Sequence, residues 1–147
     1  MPSCHTRAPT RRTSLQTVQP LNDTRRTLGA HGERLACEHL AGRGYSLVDR
    51  NFRTRHGELD LVARDERFLV FCEVKTRVIR GAPGPFGPLA AVGGRKRRQV
   101  REMARQWLSE RSGRLGGRPP ELRFDAIGVT LEPSGRLVRL EHLEDAF

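Results

Sequence analysis

The sequence predicts an α/β fold, a mixed β-sheet flanked by helices in the order αβββαβ, with a fifth strand or short closing element after the last of these. Three patterns carry the prediction. Two segments repeat apolar residues at helical spacing, four alternate them at strand spacing, and one long Gly/Pro-rich stretch separates the first three strands from the second helix. At 147 residues the chain has room for one core of ordinary size.

The first helix reads out of Leu28, Leu35, Ala36 and Leu40, with Asn22, Asp23 or Thr24 as caps and Gly42 or Gly44 as the stop. Glu33 falls on or beside its buried stripe. "YSLVDRNFR" is a first strand and "GELDLVAR" a second, in which Glu58, Asp60 and Val62 share one face and Leu59, Leu61 and Ala63 the other. "RFLVFCEVKTR" is the third, with Leu69, Phe71, Glu73 and Lys75 on one face and Phe68, Val70, Cys72 and Val74 on the other. The short polar link "RDER" makes strands two and three a hairpin, so Asp60 and Glu73 are expected to approach each other. Residues 79 to 93 are expected to form an irregular loop, either a mobile lip over a site or a tolerated insertion. Val100, Met103, Ala104, Trp107 and Leu108 then mark an amphipathic helix. "LRFDAIGVTLE" gives the fourth strand, with Asp125 inside its apolar pattern, and "LVRLEHLEDAF" the closing element.

Residues 1–27 read as a disordered basic extension and 28–147 as the folded domain. The extension carries five Arg against the single acid Asp23. An organellar transit peptide, a bacterial extension and an early start codon share this composition, and the last two are favoured. Cys4, Cys37 and Cys72 are odd in number with no C-x-x-C spacing, which points to reduced thiols in a cytoplasmic protein. No apolar run reaches the length of a membrane span.

A formal charge of +10 suits a polyanion, with nucleic acid ahead of an anionic membrane surface. Lys96, Arg97, Arg98, Arg101 and Arg105, on the polar faces of the second helix, are the candidate phosphate contacts; a merely solvated face is the alternative. Of 27 basic residues only Lys75 and Lys96 are Lys. A Lys kept in an E-x-K setting suggests a task for an ammonium that a guanidinium does not perform.

Asp60, Glu73 and Lys75 lie inside otherwise apolar strands, where a charge is costly without a partner or a role. Two carboxylates from neighbouring strands suit Mg²⁺ or Mn²⁺, which takes one or two carboxylates and keeps several waters. Lys75 would then assist an attacking water or the charge building on a scissile phosphate. Glu33 is a further catalytic and metal-ligand candidate and Glu58 an accessory one. The competing explanation is an ordinary salt bridge between these acids and Lys75 or an Arg.

The order "GERLACEHL", "RNFRTRHGELDLVARD", "LVFCEVKTR", "RKRRQVREMARQWL", "RFDAIGV" and "LEHLEDAF" resembles the YraN family of small bacterial proteins, over residues 28 to 147. That family is placed in the PD-(D/E)XK nuclease superfamily and resembles Holliday-junction resolvases. The resemblance implies a restriction-endonuclease-like three-layer core, with Asp60, Glu73 and Lys75 at the catalytic trio and Glu33 at the helix carboxylate. It also implies a DNA or other nucleic-acid partner, branched or structured DNA as substrate and, by analogy, a homodimer. A nucleic-acid-binding module without turnover is the alternative. Where relatives often read Lys-Gln, this chain reads Lys96-Arg97. His142 and Phe147 match the family's ending and are expected to close the fold.

Overall fold

The computed structural model describes residues 21–91, 93–117 and 120–147. It contains helix α1 (Leu21–Gly42), strands β1 (Ser46–Thr54), β2 (Gly57–Arg64) and β3 (Phe68–Val78), helix α2 (Gly94–Arg111), and strands β4 (Glu121–Leu131) and β5 (Leu137–Leu143). The five strands form one sheet in the order β1-β2-β3-β4-β5. Only β3 and β4 run parallel, as the crossover through α2 requires, and the other neighbours are antiparallel. A helix covers each face, which gives the expected three layers of an α/β core.

Helix α1 begins at Leu21, seven residues before the domain boundary expected at Leu28. Residues 21–27 are therefore helical, a correction to the expected extension, whose remaining residues 1–20 lie outside the described part. The helix ends in a Schellman turn: Gly44 takes φ +90°, Tyr45 N–H donates to Leu40 O (3.0 Å) and Gly44 N–H to Ala41 O (3.0 Å). Tyr45 and Leu40 then share the core beneath α1. That core also holds Ala36, Leu61, Ala63, Val70, Cys72, Ile127, Val129 and Leu131. On the opposite face α2 buries Val100, Met103, Ala104 and Trp107 against Phe52, Leu59, Val62, Leu69, Phe71 and Phe124. Cys37 and Cys72 are free thiols, and Cys4 lies outside the described residues. No described helix is long and apolar enough to cross a membrane.

The alternation expected along β2 fails at one place. Leu59 packs with Val62 on the α2 face, while Leu61 and Ala63 pack under α1. The break coincides with Asn51 of β1, which lies between the register pairs Arg50↔Leu61 and Phe52↔Leu59 and adopts φ 53°. A left-handed residue, which Asn tolerates better than most, turns the strand locally and here leaves the register unchanged. Asp60 stands between Leu61 and Leu59, the partners of Arg50 and Phe52, and among the described residues has no register partner of its own on either neighbouring strand. The expected loop also contains regular structure, since Pro88–Ala91 form a 3₁₀ turn whose Pro88 and Leu89 pack against Gly128 of β4. Phe147 closes the α2-side core, and Arg101 donates to its backbone oxygen (2.7 Å).

Candidate active site

The β2–β3 ladder pairs Arg64↔Leu69 through Leu61↔Cys72 and stops there. Beyond that point the Val74 N–H donates to Asp60 Oδ2 (2.7 Å) rather than to a strand carbonyl. A side chain has entered the hydrogen-bond path between two strands. Asp60 is 7% exposed and Glu73 4%, so both carboxylates sit at a buried opening of the sheet. Burial pushes the Asp60 carboxyl up to about 7, Glu73 adds to the rise, the Val74 N–H opposes it, and Glu33 and Glu58 contribute further repulsion.

Glu73 has cationic partners on one oxygen only. Lys96 Nζ lies 2.8 Å and Lys75 Nζ 3.2 Å from Oε1. Its Oε2 is buried with no hydrogen-bond partner among the described residues. A buried carboxylate oxygen left open is costly unless something binds it.

Asp125 provides the internal contrast. It too is a buried acid in a strand, but Arg123 grips both of its oxygens (2.9 and 2.7 Å), His142 Nε2 lies 2.8 Å from Oδ2, and Asp145 N–H donates to Oδ1 (3.1 Å). Burial raises its pKa, but these partners outweigh burial and hold the carboxyl below its ordinary value. Around it Arg123 Nη2 donates to the Tyr45 hydroxyl (3.0 Å), and Arg43 and His39 meet His142 Nδ1 (2.9 and 3.1 Å). Asp125 and His142 tie β4, β5 and α1 together, which is the fold-closing role expected of His142.

The remaining candidates separate by position. Glu33 reaches the site's field from α1 because Gly32 lets the helix approach β3, where a Cβ would fall 1.9 Å from Thr76 Oγ1. Glu58 is exposed and pairs with Arg53 (3.0 Å). Among the described residues no group of three or more His, Cys, Asp or Glu side chains converges closely enough to hold a metal, so Glu33 does not join Asp60 and Glu73 as a third ligand in this arrangement. The two strand carboxylates still fit Mg²⁺ or Mn²⁺ by donor type and number, and the open Glu73 Oε2 supplies a free ligand oxygen.

Helix α2 divides the expected phosphate contacts. Arg101 is engaged with Phe147 and stacks over Phe124 (4.7 Å), and Arg105 pairs with Glu102 (3.1 Å). Arg97 and Arg98 are exposed. Arg98 lines a cleft with His56, Arg95, Lys96 and Gln99, and a neighbouring hollow adds Arg53 and Arg55. Lys96 belongs to both the cleft and the Glu73 ion pair. Sequence reasoning placed it on the helix surface and missed its contact with Glu73; its status as one of two Lys among 27 basic residues was the available signal.

The family model described as "Uncharacterised protein family UPF0102" matches residues 32–129, which include every strand and helix residue of the site. A UPF0102 protein of Frankia alni is 48% identical over 121 residues, covering 82% of this chain and 93% of the relative. Those of Rhodococcus jostii (45% over 120 residues; 82% and 95%) and Nocardia farcinica (44% over 124; 84% and 91%) are similar to a comparable degree. Matched by the family model from within α1 to within β4, and by these relatives over nearly their whole length, the chain belongs to the UPF0102 family of bacterial proteins.

Proposed function

We propose that the protein is a divalent-metal-dependent phosphodiester hydrolase acting on branched or otherwise structured DNA. The observation that carries this reading is the pair of buried carboxylates at the opening between β2 and β3, one with an unpartnered oxygen. Asp60 and Glu73 would hold Mg²⁺ or Mn²⁺, which when bound activates water and neutralises charge on a phosphate. Lys75, 48% exposed on the rim, is placed to support the attacking water or the scissile phosphate. Glu33 adds negative charge from α1 that favours a cation. The cleft lined by Arg95, Arg98, His56 and Gln99 offers a track for the backbone. The resemblance of the motif order to that of PD-(D/E)XK nucleases supports the same assignment, and a substrate with two equivalent strands would engage two copies of the chain.

The test is incubation of the protein with a labelled four-way junction, a splayed fork, linear duplex and single strand, with and without Mn²⁺ or Mg²⁺, beside Asp60→Ala and Lys75→Ala. Metal-dependent cutting lost in both variants, with DNA affinity retained, is expected. Cutting that survives in both variants refutes the residue assignment. A nucleic-acid-binding module without turnover is favoured by one observation, the two ammonium groups already paired with Glu73. Binding without cutting, equal in all three proteins, would establish it.

A further inference from the structure

The chain's two lysines both contact the same carboxylate oxygen. Lys75 comes from β3 and Lys96 from the first turn of α2, and each meets Glu73 Oε1 while Oε2 stays open. Every other basic side chain is Arg. An ammonium is a compact point charge on a flexible stem, so two of them can share one oxygen. A guanidinium fork tends to take both oxygens of a carboxylate, as Arg123 does with Asp125. The use of Lys at these two positions leaves a ligand position free.

We propose that Lys96 is the resident counter-ion of Glu73, displaced when a divalent cation enters the site, and that the displaced ammonium then contacts the substrate phosphate. This deepens the reading that Asp60 and Glu73 hold a cation. Lys96 is 25% exposed against 48% for Lys75, and it is the closer of the two, so it contributes more of the charge that balances Glu73. A cation held by Glu73 and Asp60 would repel an ammonium 2.8 Å from the same carboxylate. The side chain already lines the cleft with His56, Arg95, Arg98 and Gln99, so a rotation of its stem keeps it in a basic channel. Glu73 is neutralised by its own lysines without a metal, and the site acquires a phosphate-binding ammonium when loaded. Lys96 is thus a counter-ion that the metal displaces and a binding residue for DNA.

The experiment is calorimetric titration of the full chain with Mn²⁺, for wild type, Lys96→Gln, Lys96→Arg and Asp60→Ala, with the unfolding midpoint of each metal-free protein recorded. Affinity for the same four-way junction is measured with Ca²⁺ present and absent. Lys96→Gln should tighten Mn²⁺ binding by about tenfold, the size expected of one partly screened charge at this range. Lys96→Arg, able to bridge both Glu73 oxygens, should weaken it by a similar factor. Lys96→Gln should also lose the gain in DNA affinity that Ca²⁺ gives wild type. Mn²⁺ binding that disappears in Asp60→Ala but is unchanged or weakened in Lys96→Gln overturns the counter-ion role and leaves the metal site standing. Absence of Mn²⁺ binding in both wild type and Lys96→Gln overturns the metal site and the counter-ion role together.

Discussion

Asp60→Asn separates a carboxylate kept for chemistry from one kept for the fold. The substitution preserves an oxygen to accept the Val74 N–H and removes the charge that burial and Glu73 oppose. An ordinary Asp ionises at 3.8, whereas this one is pushed up to about 7. Between those values the folded protein holds a proton that the unfolded chain has released. Stability is therefore lost as pH rises from about 4 to about 7, and the loss is complete above that. At about 1.4 kcal/mol per tenfold change in proton affinity, that rise in pKa makes ionised Asp60 a burden on the order of a few kcal/mol at pH 8. Asp60→Asn should thus raise the unfolding midpoint in EDTA by on the order of 10 °C at pH 8 and by little at pH 4. Thermal denaturation followed by circular dichroism at the two pH values measures it. Added Mn²⁺ should stabilise wild type and leave Asp60→Asn unmoved. A variant less stable than wild type at pH 8, or equally stabilised at both pH values, would refute the reasoning and make Asp60 a structural acid.

Asp125→Asn should behave in the opposite way, because it removes the carboxylate that grips the buried Arg123 and leaves that guanidinium only the longer contact with Glu144 (3.5 Å); a loss of about 3 kcal/mol in urea unfolding at pH 7 is expected. Gly32→Ala drives a methyl to within 1.9 Å of Thr76 Oγ1, so Thr76 must turn or α1 retreat from β3, at a cost of about 1–3 kcal/mol. Thr76→Ala in the same chain should recover part of that loss, and an additive double mutant would show that the two do not meet. Arg98→Ala should lower the salt-dependence slope of DNA binding by about one contact. Arg101→Ala should leave that slope unchanged and reduce stability instead, because its guanidinium holds Phe147 and covers Phe124.

The sequence by itself determined the elements and their order. Helical and strand periodicities are local properties of burial, and Val100, Met103, Ala104 and Trp107 are buried in α2 as their spacing requires. The type of residue at Asp60, Glu73 and Lys75 was equally legible, because a charge in an apolar strand stands out without any coordinates. Only the tertiary structure decided which buried acid was satisfied. Asp125 and Glu73 look alike in the sequence, yet one meets Arg123, His142 and a backbone N–H while the other keeps an open oxygen. The break in alternation at Leu59 coincides with the left-handed Asn51 of a neighbouring strand, which no pattern within β2 encodes. Lys96 lies 23 positions beyond Glu73, and the crossover that returns α2 over β3 places its ammonium on that carboxylate. Periodicity reports which way a residue faces; what it meets there depends on how distant segments pack.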